Sequence, residues 1–498
     1  MVQSFDLTSE QITLSSDLAA STPIYIYCTR DGEAAFYSSN LVALLERAHQ
    51  IEPLEICPDA VSFLLQSGVI PPPGTIYQRL YLLGIGGAGV LRSANGKVSV
   101  RFQYQFPFLN DRRPAAGTRS CSDNEYLELL AQATTSKLDA SRPSFLFHSA
   151  GKDSNSIALA LADAGLQDRI TLITHKSEGP KDESGLSEKI AKKLGFRHEV
   201  LQEVDSLSKS AIDAVEAYFA KAPFPCVDGV SLAYPLYGIQ APELRGANII
   251  DGMGNDVFIG HIPSADEFKK QKLSRFMQYL RPLGDRTASE GFLHAAAKYR
   301  VEHTGLNGFS LSDARRIYPE STDISGSWSR FDTGQDYLDL RAEVRGRVID
   351  QEIFIRKVRN FTDAYGGNLV LPWGSDKVAS FFSKLPEDLL FDRSALRNKL
   401  MLRELLKTRL GLDSDKLGKL GFSYNRASVV FNNWTWAHSV ICSCGLWCTE
   451  AVSRLVQRLQ RAAQGQGREA QVALGLIYRL LLISLWHSNS RFLDQRNG

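Results

Sequence analysis

Short apolar runs alternate with amphipathic segments through the middle of the chain. The apolar runs predict three strands, at residues 143–149, 169–177 and 198–204. The amphipathic segments between them predict two helices, at residues 155–165 and 187–195. This alternation is typical of a parallel sheet with crossover helices, and from about residue 265 onward the pattern is mainly helical.

The first hundred residues have a different pattern, in which strand-like runs predominate. Four strands are predicted, at 23–27, 34–39, 90–94 and 97–104, with two helices at 41–50 and 59–67. Asn95-Gly96 is a hairpin turn signal between the last two strands. Residues 109–121 combine Pro, Gly, Arg and Ser without periodicity, which predicts a linker. We therefore predict a small α+β domain over residues 1–110 and an α/β domain with a parallel sheet and flanking helices over residues 122–498.

Composition and charge exclude several classes of protein. A length of 498 residues predicts two or three domains, and 44% hydrophobic with 22% charged residues excludes disorder as the main state. The 57 basic and 55 acidic side chains leave a net charge of +2, which gives no electrostatic basis for a dedicated nucleic-acid binder. Seven cysteines do not predict a disulfide scaffold. With no signal-peptide pattern and only a short apolar run at 480–486, we expect a cytoplasmic protein without nucleic-acid or membrane partners.

The first motif with chemical content follows the strand predicted at 143–149. The apolar run leads directly into a turn of small and polar residues at the start of a predicted helix: Ser149, Ala150, Gly151, Lys152, Asp153 and Ser154. Backbone N–H groups at such a helix N-terminus bind anions, and the two serines add hydroxyl groups. Asp153 would repel bare phosphate, so it makes chemical sense as a magnesium ligand. The alternative is a strand–turn–helix with Ser and Asp as ordinary helix caps.

This loop resembles the S-G-G-x-D-S loop of the ATP pyrophosphatase superfamily, with Ala150 in place of the first glycine. It differs from the G-x-x-x-x-G-K-[ST] loop of kinases and GTPases. The resemblance implies that the loop holds the leaving pyrophosphate and that ATP is split between its α and β phosphates.

The second motif, IIDGMGNDVFIG at residues 249–260, is again an apolar run followed by a glycine turn and an acid. It is similar to the S-G-E-G-A-D-E-L-F-G segment of the asparagine synthetase family. The resemblance places Asp251 and Gly252 at the pyrophosphate. It also implies that Asp256 shares a magnesium ion with Asp153, since two carboxylates can clamp Mg²⁺–pyrophosphate.

The third motif, at residues 369–406, resembles the P-F-L-D, L-P and K-x-x-L-R block of the same family. Lys399 and Arg403 occupy the basic positions of that block, which implies that they support the phosphates. Residues 419–422 resemble the K-x-G-F stretch of the family, which implies that Lys419 stabilises the reacting centre.

Three motifs in the same order make the chain similar to the asparagine synthetase-like amide ligases, and residues 182–199 resemble a further stretch of that family. The family includes asparagine synthetase, β-lactam and carbapenam synthetases and lasso-peptide cyclases. The resemblance implies an ATP-pyrophosphatase-type sheet, with ATP and Mg²⁺ as cofactors. It also implies adenylation of a carboxylate, followed by amine attack and release of AMP and pyrophosphate.

The N-terminal domain departs from the glutamine-dependent members of the family. Those members carry a nucleophilic cysteine at position 2, whereas residue 2 here is Val and no cysteine precedes Cys28. The stretches at 22–27, 36–46 and 68–83 nevertheless resemble the later half of a glutaminase domain. We expect a degenerate Ntn-hydrolase-type glutaminase domain that does not hydrolyse glutamine. The nitrogen would then come from a substrate amine or from free ammonia.

The second motif also departs from asparagine synthetase, because Met253 stands where that enzyme has Glu. This difference argues against aspartate as the acyl substrate. A base that deprotonates the amine is still needed. Asp251 and His175 are candidates, and His175 can equally be a packed or ribose-facing residue.

Three functions therefore remain open. The first is an ATP-dependent amide-bond-forming synthetase of natural-product biosynthesis, with a small-molecule or peptide carboxylate and an amine as substrates. The second is a lasso-peptide isopeptide cyclase, which would need a partner that presents the peptide. The third is a catalytically inactive nucleotide-binding scaffold. A homo-oligomer or a pathway partner is compatible with all three.

Two further patterns carry less weight. Gly84–Gly89 fits G-x-G-x-x-G, but β-like residues follow it, so we predict a turn and not a dinucleotide site. Cys442, Cys444 and Cys448, with His438 nearby, form either a metal site or part of an apolar core helix, and their apolar flanks favour the helix.

Overall fold

The computed structural model of the protein describes residues 1–109, 113–118, 120–177, 182–417 and 424–493. The first part of the chain forms two antiparallel sheets from seven strands: β1 (Gln3–Asp6), β2 (Ile12–Ser15), β3 (Ile24–Cys28), β4 (Ala34–Ser38), β5 (Leu80–Leu83), β6 (Gly87–Ala94) and β7 (Lys97–Tyr104). One sheet has the order β1-β4-β3-β5, and the other has the order β2-β6-β7. Asn95 and Gly96 both have positive φ, 53° and 70°, as the predicted hairpin turn between β6 and β7 requires.

Two helices, α1 (Leu41–Ile51) and α2 (Pro58–Gln66), complete this part of the chain. The Asn40 side chain caps α1 by accepting a hydrogen bond from Ala43 N. Phe5 and Ile26 of the first sheet and Leu91 of the second belong to one shared apolar core. This is the small α+β unit that the sequence indicated, and its relation to a glutaminase domain stays a prediction.

A five-stranded parallel sheet organises the rest of the chain. Its strands are β8 (Ser144–Phe147), β9 (Ile170–Lys176), β10 (Arg197–Gln202), β11 (Asn248–Ile250) and β12 (Asn368–Val370). They lie in the order β10-β9-β8-β11-β12, and every pair is parallel. The chain therefore moves to one side of β8 first and to the other side afterwards. The carboxyl ends of β8 and β11 form a topological switch point, where sheets of this class bind their ligands.

Helices flank this sheet and fill the C-terminal part of the chain. They are α3 (Asp123–Thr135), α4 (Lys152–Asp163), α5 (Ser184–Leu194), α6 (Lys209–Lys221), α7 (Ala233–Gln240), α8 (Asp256–Ile259), α9 (Ala265–Met277), α10 (Arg281–Gly284), α11 (Phe292–Ala296), α12 (Leu311–Ile317), α13 (Ser325–Ser329), α14 (Tyr337–Val344), α15 (Arg356–Tyr365), α16 (Asp376–Ser383), α17 (Glu387–Leu390), α18 (Leu400–Leu405), α19 (Ser414–Leu417), α20 (Arg426–Asn432), α21 (Trp434–Cys442), α22 (Thr449–Ala463) and α23 (Gly467–Asn489). A two-stranded antiparallel pair, β13 (Phe391–Asp392) and β14 (Arg397–Asn398), precedes α18. The mixed α/β class with a parallel sheet is confirmed.

The two parts of the chain share one apolar core. The ring of Tyr77 lies 5.9 Å from the rings of both Phe224 and Trp486, measured between centroids. Arg479 on α23 donates a hydrogen bond to the carbonyl of Leu65 at 3.0 Å. The N-terminal unit therefore packs directly on the C-terminal helices. The predicted domain limits, 1–110 and 122–498, stay a prediction.

The longest helix, α23, is part of this core. Among the described residues it is the one helix that is long and apolar enough to cross a membrane, and 78% of its most apolar window is buried inside the protein. Its apolar composition is therefore that of a helix covered on all sides by other elements.

Candidate active site

The first predicted loop joins the carboxyl end of β8 to the N-terminus of α4. Gly151 is the N-cap residue of α4, and no side chain caps that helix. Gly151 N donates to Ser149 Oγ at 3.0 Å, and Ser149 N donates to Ser154 Oγ at 3.2 Å. The amide of Asn155 donates to the carbonyls of Ser149 and Gly151 at 2.9 and 2.7 Å. These bonds hold a compact turn at a helix N-terminus, which is the geometry that binds phosphate groups.

Glu183 contacts the same loop, although the sequence assigned it no role. Its Oε2 accepts a hydrogen bond from Ala150 N at 2.6 Å, and its Oε1 is buried without a hydrogen-bond partner. Burial raises the pKa of this carboxyl. One N–H group of the loop is therefore held by a carboxylate of the protein. Its position within 182–199, the stretch that resembles the family, is the one signal that could have identified it.

The second predicted loop follows β11 and lies against the first. A Cβ atom at Gly252 would lie 3.0 Å from Ser154 N and 3.3 Å from Asp153 Cβ, so the close approach favours glycine there. Asp251 Oδ1 accepts a hydrogen bond from Met253 N at 2.9 Å. The turn thus fixes the Asp251 carboxyl beside the loop of residues 149–154.

Asp153 and Asp256 meet at the edge of these loops, with the Lys399 ammonium between them. Lys399 Nζ lies 2.6 Å from Asp153 Oδ2 and 2.7 Å from Asp256 Oδ1. Asn255 joins the group, because its amide donates to Asp153 Oδ1 at 2.6 Å and its Oδ1 accepts from Lys399 Nζ at 3.2 Å. Carboxylate oxygens that converge on one cationic position are the donor set that a hard divalent cation takes.

Lys399 has an unusual backbone conformation and an unusual electrostatic environment. Its φ of 55° and ψ of 44° are left-handed, a conformation that costs a non-glycine residue about 1–2 kcal/mol. Burial alone would lower the pKa of Lys399, but the carboxylates of Asp153 and Asp256 outweigh burial and raise it. Burial alone would raise the pKa of Asp256, but Lys399, His261 and Arg345 hold it well below its usual range. Each charge is therefore stabilised in its ionised form by its partners.

Two further cations lie near the N-terminus of α4. Burial, and then the charges of Arg403 and Lys399, lower the pKa of Lys152 to about 8. Arg403 Nη1 lies 2.5 Å from Asp415 Oδ1, and Arg403 Nε donates to the Asn398 carbonyl at 2.7 Å. The positive charge is concentrated where the dipole of α4 also favours an anion.

A cavity of about 170 Å³ opens at the carboxyl ends of β8, β9 and β11. Six of the predicted site residues line it: Ser149, Gly151, Asp153, Ser154, Asp251 and Gly252. Apolar and aromatic residues also line it, among them Phe147, Tyr234, Tyr237 and Met253. The cavity thus combines polar loop residues with an apolar lining, as small-molecule sites commonly do.

Asp251 is the buried acid of this cavity. Burial raises its pKa to about 6, and the charge of Lys357 opposes the shift. Lys357 also lines the cavity, but its Nζ lies 3.1 Å from Asp228 Oδ2, so its charge is paired. Burial therefore makes the Asp251 carboxylate a stronger base than an exposed aspartate, as suits a general base.

His175, the other candidate base, is held on both sides of its ring. Its Nδ1 lies 2.9 Å from the Tyr237 hydroxyl, and its Nε2 lies 3.4 Å from Glu203 Oε2. These contacts favour a packed wall residue over a base that acts on substrate.

Trp373 and Asn255 also contribute to the site. Trp373 is fully buried, and its Nε1 donates to the Asp153 carbonyl at 3.2 Å. Trp373 lies in the third motif and Asn255 lies next to Asp256 in the second, and sequence reasoning gave neither a role. Lys419, which was assigned to the reacting centre, lies outside the described residues.

The cysteines near the C-terminus lie in and around α21. Cys442 Sγ lies 3.6 Å from His438 Nε2, and Cys444 Sγ lies 3.5 Å from His487 Nδ1. In the part of the chain that the structure describes, the one group of three side chains spaced for a metal ion is Asp256, His261 and Asp350. The geometry thus favours the core-helix alternative for the cysteines.

Comparison with known proteins agrees with this geometry. The family model of asparagine synthase matches residues 125–488, which is more than half of the chain. No curated protein matches the chain. The matched range contains both strand-end loops together with Asp153, Asp256 and Lys399. The chain therefore belongs to the asparagine synthase family, and at the level of that family it is an ATP-dependent amide ligase.

Proposed function

We propose that the protein is an ATP-dependent, AMP-forming synthetase that adenylates a substrate carboxylate and joins it to an amine, without glutaminase activity. One observation carries the proposal. The loops after β8 and β11 bring a turn of phosphate-binding geometry and the buried acid Asp251 to one cavity at the switch point of the sheet, and Asp153 of that cavity converges with Asp256 on Lys399.

In the first step, a carboxylate oxygen of the substrate attacks the α-phosphorus of ATP, and the bond to the β-phosphate oxygen breaks. The products are an acyl adenylate and pyrophosphate. The N–H groups at the start of α4 and the hydroxyl groups of Ser149 and Ser154 bind the pyrophosphate, while Lys399 and Arg403 offset its charge. Asp153 and Asp256 would hold Mg²⁺, which supplies further neutralisation of phosphate charge when bound.

In the second step, the amine attacks the acyl carbon, the bond to AMP breaks, and the amine nitrogen gives up a proton. Asp251 accepts that proton, because its carboxyl lines the cavity and is held in place by Met253 N. A carboxylate whose pKa is raised by burial is a stronger base than an exposed one. Lys419 is proposed to stabilise the tetrahedral centre, as the family resemblance implied.

The nitrogen is proposed to come from a substrate amine or from ammonia. Cys28 lies at the end of β3, and burial raises the pKa of its thiol to about 11. A thiol in that state is a poor nucleophile at neutral pH, which supports the absence of glutamine hydrolysis. Met253 in the cavity wall supports a substrate other than aspartate, and we place the reaction in natural-product biosynthesis.

Nucleotide products test this proposal. Purified protein is incubated with ATP, Mg²⁺, ammonia and a panel of small carboxylic acids and peptides. We expect AMP and pyrophosphate in equal amounts for the accepted acid, together with acid-dependent exchange of pyrophosphate into ATP. Asp153→Asn should abolish both signals. Asp213→Asn, which changes an exposed acid on α6, should leave them unchanged.

Four other results would contradict parts of the proposal. Release of ADP and phosphate would refute cleavage between the α and β phosphates. ATP binding without turnover across the panel would favour the inactive scaffold. Turnover that requires a peptide and a peptide-presenting partner would assign the chain to the lasso-peptide cyclases. Release of glutamate from glutamine would show that glutaminase activity persists.

A further inference from the structure

The helical segment from α9 to α11 turns its apolar side chains outward. Among the described residues eleven large apolar side chains are exposed, and six of them lie within twenty residues: Leu273, Phe276, Tyr279, Leu280, Leu283 and Phe292. Monomeric proteins rarely concentrate exposed apolar side chains in this way unless the surface binds something.

The inner side of the segment is held by polar groups. Gln271 and Ser274 are the buried positions of α9, where an amphipathic helix normally places apolar residues. The buried Arg281 guanidinium lies 2.7 Å from Glu302 Oε2 and 3.0 Å from Asp285 Oδ2. A Cβ atom at Gly284 would lie 3.1 Å from Ala297 Cβ, so α10 packs closely against the end of α11. The outward direction of the apolar residues is therefore built into the packing.

Basic side chains surround these apolar ones. Five of them are exposed in the same segment: Lys269, Lys270, Lys272, Arg275 and Arg286. Residues 268–284 contain no Asp or Glu; Asp266 and Glu267 precede them, and Asp285 and Glu290, which follow, are paired with Arg281 and Arg458. A second copy of the chain, related by a two-fold axis, would oppose these same cations to one another and would be repelled. The charge therefore selects an anionic partner.

We propose that this α9–α11 face, made of the six apolar and five basic side chains, binds the surface of an anionic phospholipid bilayer. Phe276, Tyr279 and Phe292 are 76%, 80% and 76% exposed, so they project from the protein instead of lining a groove. Projecting aromatic side chains flanked by Lys and Arg fit the boundary between headgroups and acyl chains, where anionic lipids also attract the basic groups. This departs from the expectation of no membrane partner, because a surface patch needs no long apolar run.

Vesicle sedimentation of the full-length protein tests the proposal and does not depend on the catalytic one. We expect the protein to sediment with vesicles of phosphatidylcholine mixed with phosphatidylglycerol, to remain in solution with pure phosphatidylcholine, and to be released by salt. The double variant Phe276→Ser, Tyr279→Ser should lower the partition coefficient roughly tenfold. The matched control is Ile239→Ser, which removes an exposed apolar side chain outside this face. Circular dichroism verifies that each variant is folded.

Each other outcome overturns the proposal. Wild-type protein that stays in solution with both kinds of vesicle refutes it, as does an equal loss of binding in the Ile239→Ser control. A concentration-dependent dimer that the double variant loses would assign the face to a second copy. Salt-sensitive binding of polyglutamate without vesicle binding would assign it to an acidic protein.

Discussion

Lys399→Met removes the ammonium that lies between the carboxylates of Asp153 and Asp256. The Lys399 side chain is 7% exposed, and the carboxylates are 29% and 38% exposed. Removing one partner of a fully buried ion pair costs roughly 3–5 kcal/mol. Because both carboxylates retain contact with water, we expect a smaller loss of about 2 kcal/mol in the free energy of unfolding without divalent cations. The left-handed backbone at position 399 adds nothing to this difference, since Met is strained there as Lys is.

Magnesium separates this explanation from a simple loss of packing. In the wild-type protein the ammonium already lies between the carboxylates, so Mg²⁺ without nucleotide should stabilise the fold little. In the variant the same two carboxylates face each other without a cation. Mg²⁺ at a hundredfold excess over its dissociation constant would then restore about 2.7 kcal/mol. We therefore expect Mg²⁺ to stabilise Lys399→Met much more than the wild type.

Urea unfolding followed by tryptophan fluorescence measures this effect. The six tryptophans, among them Trp373 hydrogen-bonded to the Asp153 carbonyl, report unfolding of the whole fold. The unfolding midpoint is compared in EDTA and in MgCl₂ for the wild type, Lys399→Met and the exposed control Lys384→Met. A variant as stable as the wild type in EDTA would refute the ion-pair argument. An equal Mg²⁺ shift in all three proteins would refute the shared cation position.

Three further predictions concern the same site. Burial raises the Asp251 pKa to about 6, above its value of about 3.9 in the unfolded chain, so ionisation weakens the fold as pH rises from about 4 through 6. Because the base must be ionised, kcat/KM for the amine should rise with pH through about 6. Asp251→Asn should remove this rise from the pH–rate profile and the loss of stability from the pH–stability profile. A pH dependence that persists in the variant would belong to another group. Gly252→Val should weaken ATP binding at least tenfold in titration calorimetry, because its Cβ would press on Ser154 N at 3.0 Å, whereas Gly445→Val, which meets no atom within 4 Å, should not. Trp373→Ala should cost roughly 3–5 kcal/mol in the free energy of unfolding, and a loss below 1 kcal/mol would mean that the cavity collapses.

Local elements could be predicted because their signals lie between neighbours in the chain. The apolar run at 169–177 becomes β9 (Ile170–Lys176), and the amphipathic segment at 187–195 becomes most of α5 (Ser184–Leu194). The hairpin at Asn95-Gly96 follows from the conformational freedom of two adjacent residues. The strand–turn–acid pattern likewise placed Asp153 and Asp256 beyond the ends of β8 and β11.

Contacts between distant segments could not be predicted in the same way. Lys399 lies 246 residues after Asp153, and its contact requires a left-handed residue at the start of α18 that no pattern in the sequence indicates. Glu183 holds Ala150 N only because α5 begins beside the phosphate loop. The pKa of Asp251 depends on burial by surrounding elements, which a sequence does not display.

The amino-acid sequence by itself determined the alternation of strands and helices, the family and the identity of the residues at the strand ends, because these depend on short-range periodicity and on motifs. The tertiary structure alone decided the strand order β10-β9-β8-β11-β12, which brings two separate loops to one switch point. It also decided that a lysine ammonium lies between the two carboxylates and that the apolar residues of α9 point outward. Those features arise from how helices, strands and loops pack on one another, and packing depends on the whole chain.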